Sequence, residues 1–592
     1  MARKGSIKTP LTILAISITL FVTLSHRLHR HVVHQSTSLS TSFLYLSSPP
    51  PPLPSLTPLP QFLSPPPYPP PSRILNFASL STLLAVKEDS SATSASSSIS
   101  TVSILIPDWE VLVIASPETP LTPGENYTCY FGSNLSTPAR FAGELSFGRG
   151  TVFKCVLPEN NRLRSRYTEP RVVRSDQIQI PQSESEIDAP DLHRWNSLAY
   201  ESFTTQHDVV LFVKGVNSRQ GNNRPASHLR CVFGDDPSSA VRTAVTSSAQ
   251  EVFRCVRPQL PENSPQKVSV TLEIIHRKDA DALILPSVAQ YAPHEGRTIE
   301  FSKPKSLMCA CTMVYNVGKF LREWVTYHAS VGVEKFILYD NDSNDGLDRT
   351  VQELNRAGYD VRMIYWPWPK TQEAGFSHCA LCAEHICQWM AFIDVDEFIL
   401  SPGWMDHRKP NPNMLMSSLL PKGTNPARVG QVSVKCVEFG PSNQTEHPVQ
   451  GVTQGYTCRR KFDRRHKSIV MLEAVHPSLM NMVHHFKLRE GFKTSQLGKH
   501  RAIVNHYKYQ AWPEFKAKFR RRVSAYVVDW RQSINPKSND RVPGLGFEAV
   551  EPPRWAQKFC EKTDERLKVL TRRWFGVNSS AMIWQSAFQL LG

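Results

Sequence analysis

The apolar and polar positions change pattern several times along the chain, and each pattern predicts a different kind of element. Residues Leu11–Leu24 are an apolar run without charge, preceded by Arg3, Lys4 and Lys8 and followed by Arg27 and Arg30. A membrane helix takes ~17–25 residues, so Thr9–Ser25 predicts one short span, suited to a thin early-secretory bilayer. Ser25-His26-Arg27 offers no small-x-small cleavage site, which argues against a cleaved signal peptide. Residues 1–87 lack Asp and Glu and are rich in Ser, as transit peptides are, but the unbroken apolar block argues against that reading. The slight charge bias favours a cytosolic N-terminus. From Ser36 to Ser100 the chain is Ser- and Pro-rich; such text buries no core and stays extended. Residues 1–34 thus read as tail and anchor, and 35–100 as a stem.

Next come short β-branched and aromatic runs broken by Gly, Pro and Asn, which predict strands. Two segments echo each other. Cys129-Tyr130-Phe131-Gly132 and Val152-Phe153-Lys154-Cys155-Val156-Leu157-Pro158 return as Cys231-Val232-Phe233-Gly234 and Val252-Phe253-Arg254-Cys255-Val256-Arg257-Pro258. The pattern C-x-F-G … V-F-[KR]-C-V-x-P marks an internal repeat over 101–290, either two small β-sandwich units or one sandwich of two halves. Asp176–Asp191 reads as the linker between them. Trp109, Tyr127, Tyr130 and Trp195 offer flat faces for sugar rings; taken singly, each also reads as a core aromatic.

Beyond Lys303-Pro304 the period changes again, opening the domain 300–592. Ser306–Val314 is a buried strand run, Val317–Ser330 has helical spacing, Lys335–Tyr339 is a strand, Leu347–Ala357 a helix and Tyr359–Tyr365 a third strand. This alternation predicts a parallel, Rossmann-like sheet whose ligand lies beyond the carboxyl ends of the strands. Tyr315, Asn316, Asp340 and Asp342 fall there, as candidates for holding a nucleotide. The loop Asp340–Gly346 is not an EF-hand, because Gly falls at position seven and Val351 at twelve. No G-x-G-x-x-G follows the first strand and no P-loop occurs, which tells against dehydrogenases and kinases. Helical text, Gln372–Gln388, then leads into Trp389–Leu400; Trp512–Trp530 and Pro553–Phe575 read as amphipathic helices that could cover the sheet or form a homodimer.

Composition changes this picture little. Lys+Arg 68 against Asp+Glu 52 gives +16. That excess suits a polyanion, but no zinc-finger spacing, RNA-binding aromatic motif or basic heptad helix accompanies it, so no nucleic-acid partner is expected. Of twelve cysteines, Cys129 with Cys155 and Cys231 with Cys255 suggest disulfides and an oxidising compartment; the other eight admit 105 connectivities. Cys379, Cys382 and Cys387 lie on one helix without a second pair, against zinc. The sequons at Asn126, Asn134, Asn341, Asn443 and Asn578 permit a secretory location, with Asn341 set apart because it should line the site.

The chemistry concentrates at Phe392-Ile393-Asp394-Val395-Asp396-Glu397-Phe398. A D-x-D pair ending an apolar strand puts both carboxylates on one side, where they can hold Mg²⁺ or Mn²⁺ against a diphosphate. Together with C-x-C-T-M-V-Y-N (Cys309–Asn316), E-W-V-x-Y-H (Glu323–His328), Y-D-N-D-S-N-D-G (Tyr339–Gly346) and N-H-Y (Asn505–Tyr507), residues ~306–530 resemble the family-92 glycosyltransferases, and the layout resembles plant galactan synthases. The resemblance implies a GT-A fold behind a sugar-binding module, UDP-galactose as donor, β-1,4-galactan of pectin as acceptor, Mn²⁺ dependence and inversion; a family-92 enzyme with another donor or acceptor such as an N-glycan, and a non-catalytic sugar-binding protein, are the alternatives. Taken with the anchor and stem, the resemblance predicts a single-pass Golgi protein with a lumenal head. It maps Asp394 and Asp396 onto the metal motif, with Asp394 also touching the donor, and His506 as third ligand; His484, His485 and His500 are alternatives. Inversion needs a carboxylate base, for which Asp463 and Glu438 are candidates. The cluster Arg459–Lys467 could grip a diphosphate or an acidic acceptor.

Overall fold

The computed structural model describes residues 101–116, 121, 124–131, 135–146, 149–162, 167–176, 190–218, 222–261, 265–275, 282–292, 304–421, 428–462, 465–518, 551–578 and 581–585. All of these belong to one compact unit, Thr93–Gly592. The expected anchor and stem, most of the expected linker, and Asp463 lie outside the described residues. Among the described residues no helix is long and apolar enough to cross a membrane.

The repeat seen in the sequence is a repeat of topology. The first unit runs β1 (Thr101–Leu105), β2 (Glu110–Ala115), β3 (Tyr127–Tyr130), β4 (Ser136–Glu144), β5 (Thr151–Val156), β6 (Arg171–Arg174) and a short β7 (His193–Arg194), in the spatial order β6-β3-β4-β5-β2-β1-β7. The second runs β8 (Leu198–Thr204), β9 (Asp208–Lys214), β10 (Leu229–Phe233), β11 (Val241–Ala249), β12 (Val252–Val256) and β13 (Val268–Ile274), ordered β13-β10-β11-β12-β9-β8, with β14 (Leu283–Ile284) and β15 (Gln290–Tyr291) added at β13. The long strand bulges in both, between Phe141 and Gly143 opposite Val152–Phe153, and between Val245 and Ser247 opposite Arg254–Cys255. Strands two apart in a flat sheet lie ~10 Å from each other. Cys129 of β3 and Cys155 of β5 have Cα atoms 6.3 Å apart, and Cys231 and Cys255 5.9 Å. Each unit is therefore folded over at its bulged strand, a small sandwich closed by the expected disulfide.

Alternation along the strands separates two faces. Val111, Val113, Phe153 and their counterparts Val209, Leu211 and Phe253 fill the two sandwich cores. The opposite faces, Leu112, Ile114 and Val152 in one unit and Val210, Phe212 and Val252 in the other, join one apolar cluster with Ile337, Tyr339, Trp366, Trp368 and Phe376 of the α/β domain. Trp195 stacks on Trp368 at 5.7 Å and 6°, and Tyr127 packs on Phe153; both are core aromatics. Trp109 is half-buried beside Tyr167 and under the Arg162 guanidinium.

The α/β domain opens as its periodicity predicts. Strands β16 (Ser306–Val314), β17 (Lys335–Asp340), β18 (Asp360–Tyr365) and β19 (Cys387–Phe392) are mutually parallel in the order β18-β17-β16-β19. Helices α1 (Gly318–Val331), α2 (Leu347–Arg356) and α3 (Gln372–Ala383) make the crossovers. Phe320, Leu321, Trp324, Val325, His328 and Val331 form the buried stripe of α1. That helix ends at Gly332 with φ 116°, where a Cβ would stand 2.4 Å from the Pro412 carbonyl oxygen, so glycine is required there. Past β19 the sheet becomes mixed, with β20 (Glu397–Leu400), β21 (Arg428–Glu438), β23 (Arg465–Met471), β26 (Phe492–Gln496) and β27 (Ile503–His506). Strand β23 is antiparallel to β19 and β21, and β20 to β27, while β26 and β27 run parallel to β21. Strand β22 (Cys458–Arg459) and the hairpin β24 (Asn481–Met482) and β25 (His485–Phe486) lie outside it. The full path is β18-β17-β16-β19-β23-β21-β27-β20, with β26 beside β21. Short α4 (Val452–Gly455) packs on C-terminal α5 (Arg566–Phe575). The helix expected from Trp512 is described over residues 512–518.

Disulfides staple the sheet from within. Cys309 and Cys311 of β16 bond to Cys387 and Cys379, and Cys458 bonds to Cys560; Cys382 and Cys436 are free.

Candidate active site

The strand order reverses between β16 and β19, and an open α/β sheet binds its ligand outside the carboxyl ends at such a point. Asn316 leaves β16 there and Asp394 leaves β19. Asp340 ends β17, in register with Val314, two strand spacings or roughly 10 Å from the level of β19. The loops after β16 and β17 are tied together. The Asn316 N–H donates to Ser343 Oγ (2.8 Å), Asn316 Oδ1 accepts from the Asn344 N–H (2.8 Å), and Asp345 accepts from the Gly318 N–H (2.8 Å). Asn316 and Asp342 have φ of 51° and 71°, in the left-handed region that Asn and Asp tolerate best after Gly. Asp340 accepts from the Ser343 N–H, and burial pushes its carboxyl up to about 6. Tyr315 is exposed at the rim. Asp342, expected to face a nucleotide, is instead bound from outside the domain by Arg140 and Lys154. Asn341 donates its amide to the Trp366 carbonyl at 2.7 Å.

The D-x-D pair does not sit in a strand. β19 ends at Phe392 and Ile393–Asp396 turns into β20, closed by the Glu397 N–H donating to the Asp394 carbonyl at 3.0 Å. Strand alternation therefore does not aim the two carboxylates, and they take separate partners. Asp394 Oδ2 accepts from Lys467 Nζ at 2.9 Å, and His484 Nε2 lies 3.7 Å away. Asp396 Oδ2 is 3.3 Å from His506 Nε2 and bound by Lys518. Burial opposes ionisation of both, but the Lys467 ammonium holds Asp394, and Lys518 and His506 hold Asp396, well below the usual carboxylate range. Glu397, the next residue, is fully buried; its Oε2 accepts from the Asp394 N–H (3.0 Å) and its Oε1 meets Lys467 (2.8 Å). Burial outweighs Lys467 and pushes this carboxyl up. His484 accepts a hydrogen bond from Lys467, and burial followed by that ammonium pushes its imidazole far down, so it is neutral.

Three strands put Glu397, His506 and Glu438 side by side, since Glu397 pairs with His506 and His506 with Glu438. Glu438 is buried and salt-bridged to Lys508 (2.7 Å) and Arg460 (3.4 Å). Burial alone would raise it, but Lys508 and its companions lower it. It is an ionised carboxylate under three cations, counting Arg465 at 4.0 Å, not an open base. Arg459 pairs with Asp564 at 2.7 Å, so the basic stretch splits between framework and site.

The remaining motif blocks support the turn. Trp324 Nε1 donates to the Glu397 carbonyl (3.1 Å), the Tyr327 hydroxyl to the Ile399 carbonyl (2.6 Å), and the Tyr507 N–H to the Asp396 carbonyl (2.9 Å). Glu397 and Lys518 escaped the sequence reading. A buried Glu directly after D-x-D was a visible signal; Lys518, more than a hundred residues later, carried none.

Among the described residues no three His, Cys, Asp or Glu side chains converge as a metal cage. A hard divalent cation needs no such cage, because Mg²⁺-like ions are commonly bound by one or two carboxylates plus substrate phosphates. Asp396 and His506, 3.3 Å apart with an ammonium already drawn to the carboxylate, are a fitting two-donor set. Asp394, turned to Lys467, is not yet a third.

The family model Glycosyltransferase family 92 matches residues 305–540. A glycosyltransferase family 92 protein of Ricinus communis is 38% identical over 78% of this chain and 81% of its own length. Another, of Arabidopsis thaliana, is 43% identical over 64% of this chain and 66% of its own. Among solved structures, a mannosyltransferase from Pyrobaculum calidifontis in complex with GDP-Man and Mn²⁺ aligns with 38% of this chain and 62% of its own, at 10% identity and a TM-score of 0.22, too low to argue from.

Proposed function

This chain belongs to glycosyltransferase family 92, and from that premise we propose that it is an inverting galactosyltransferase moving galactose from UDP-galactose onto β-1,4-galactan chains of pectin. The single observation that carries the transferase reading is the ionised Asp394–Asp396 turn at the topological switch point of a parallel sheet. Donor and acceptor identity rest on the resemblance of the motif blocks to galactan synthases.

Each residue then has a task. Asn316 and Asp340 hold the nucleoside at the carboxyl ends of β16 and β17. Asp396 and His506 would hold Mn²⁺ or Mg²⁺, and Asp394 would add a third donor only where it is not paired with Lys467; a bound ion would supply positive charge for a departing diphosphate. Lys467 keeps Asp394 ionised, and Glu397 fixes the turn through the Asp394 N–H. Lys508 and Arg460 present positive charge to a diphosphate or an acidic acceptor. The acceptor hydroxyl loses its proton to a carboxylate; Glu438 serves only if Lys508 lets go, which leaves Asp463 as the alternative. We place the enzyme in the Golgi lumen behind the Thr9–Ser25 anchor; the five disulfides support an oxidising compartment. The β units are proposed to grip galactan through surfaces not packed on the catalytic domain, such as that around Trp109.

The test is transfer by a fragment starting at Thr101, offered a panel of UDP-sugars, Mn²⁺ and short β-1,4-galactan acceptors. Elongation with UDP-galactose that stops with EDTA is expected. Elongation with a different UDP-sugar would replace the donor assignment, and no turnover with any donor, alongside retained oligosaccharide binding, would sink the enzyme reading.

A further inference from the structure

The [KR] of the repeat, between Phe and Cys, is unexplained by the sandwich cores. Lys154 and Arg254 occupy that position, and each is salt-bridged to the first residue of the neighbouring strand, Lys154 to Glu110 (3.0 Å) and Arg254 to Asp208 (2.6 Å). Each also reaches into the α/β domain, but at different places. Arg254 donates to the Pro477 carbonyl (2.5 Å), on a peripheral segment. Lys154 meets Asp342 Oδ2 (2.9 Å), inside the loop that follows β17. Arg140, opposite Lys154 in the β4–β5 register, donates to the same oxygen at 2.6 Å. One bulge along β4, a Cβ on Gly143 would stand 2.8 Å from the Tyr365 ring at the end of β18, so this strand lies directly on the carboxyl edge of the parallel sheet.

Asp342 is the pivot. It sits at φ 71°, where glycine would be easiest, with its carboxylate buried and two cations from another domain on one oxygen. The next residues are Ser343 and Asn344, which knit this loop to Asn316. The first β unit thus ends, through two ion pairs, on the loop assigned to the nucleotide. We propose that Arg140 and Lys154 are positioning residues for the donor, holding the Asp340–Gly346 loop in the shape that receives the nucleotide, whereas the twin contact of Arg254 serves docking alone. The inference rests on the nucleotide-sugar reading.

The experiment is calorimetric titration of the full chain with UDP and Mn²⁺, together with donor kinetics. Arg140→Ala is chosen first because Arg140 is 47% exposed and its loss leaves the fold intact. UDP affinity is expected to fall about tenfold, in the range of ordinary site-to-site coupling, with the donor KM rising and kcat within about twofold. Arg140→Lys is expected to restore most of the affinity. Asp342→Asn is expected to fall similarly, and the double variant no further than either single one. Arg254→Ala, the internal comparison, is expected to lower the melting temperature and leave UDP affinity as it was. Wild-type affinity in Arg140→Ala, additive losses in the double variant, or an equal loss in Arg254→Ala would each overturn the proposal. Absence of UDP binding by the wild-type chain would instead remove the nucleotide-sugar reading, and the proposal with it.

Discussion

At Asp396 the chemistry depends on a charge held in a buried place. Its carboxylate is ionised because Lys518 and His506 outweigh desolvation, so an ion arriving there meets a ready anion. Replacing Asp396 by Ala is expected to cost about a thousandfold in kcat, the several kcal/mol that Lewis-acid charge stabilisation supplies, measured by transfer assay beside an unchanged circular dichroism spectrum. Glu438 behaves differently. Lys508 beside it is buried, so Glu438→Ala removes the carboxylate paired with a buried ammonium and is expected to destabilise the fold by ~3–5 kcal/mol in urea unfolding. Stability unchanged by that substitution would mean that Lys508 finds another partner and that Glu438 is free for catalysis.

At the scale of elements, α1 carries more than its apolar stripe. Glu323 lies on its buried side and caps α4: Oε2 accepts from the Val452 N–H (2.8 Å), and Oε1 from the Thr453 N–H (2.9 Å) and hydroxyl (2.6 Å). Gly451, with φ 100°, lets the chain pass, since a Cβ there would meet Glu323 Oε2 at 2.4 Å. Burial pushes the Glu323 carboxyl up to about 7, against those hydrogen bonds. A carboxyl raised in the fold binds its proton more tightly there than in the unfolded chain. Its contribution is therefore complete below about 4.5 and lost as pH rises through about 7. Glu323→Gln, which turns an amide toward the Val452 N–H, is expected to be less stable throughout, with the gap from wild type narrowing between those values; a constant gap would refute the assignment. Gly332→Ala, forced against the Pro412 carbonyl, is expected to cost more than 1 kcal/mol, roughly the least such a left-handed site exacts.

At the scale of the whole molecule, the β units and the α/β domain share a core. Leu112, Ile114, Val210 and Phe212 are buried against Trp366, Trp368 and Phe376, and Trp195 reaches across to Trp368. Burying a side chain of this size contributes about 1.5–3 kcal/mol, so the interface is integral and not a tether. A fragment beginning at residue 304 is expected to aggregate on expression, whereas one beginning at Thr101 stays monodisperse in size-exclusion chromatography. A well-folded, soluble 304 fragment would show that the units are merely appended.

The sequence by itself determined the repeat, its two disulfides, and the parallel β16–β19 half with α1–α3 at their observed places to within a few residues, and it singled out the D-x-D pair as the candidate for chemistry. These are local properties: apolar period, turn residues and spacing fix them without reference to distant partners. Family membership was legible for the same reason, in contiguous motif blocks. Tertiary structure alone decided that β19 stops short of Asp394, that Lys467 and Lys518 pair with Asp394 and Asp396, that Glu438 is bound by cations, and that Asp342 faces a β unit instead of open solvent. Each of those depends on residues tens to hundreds of positions apart. Pattern carries no distance between them; only packing in three dimensions sets which charges meet.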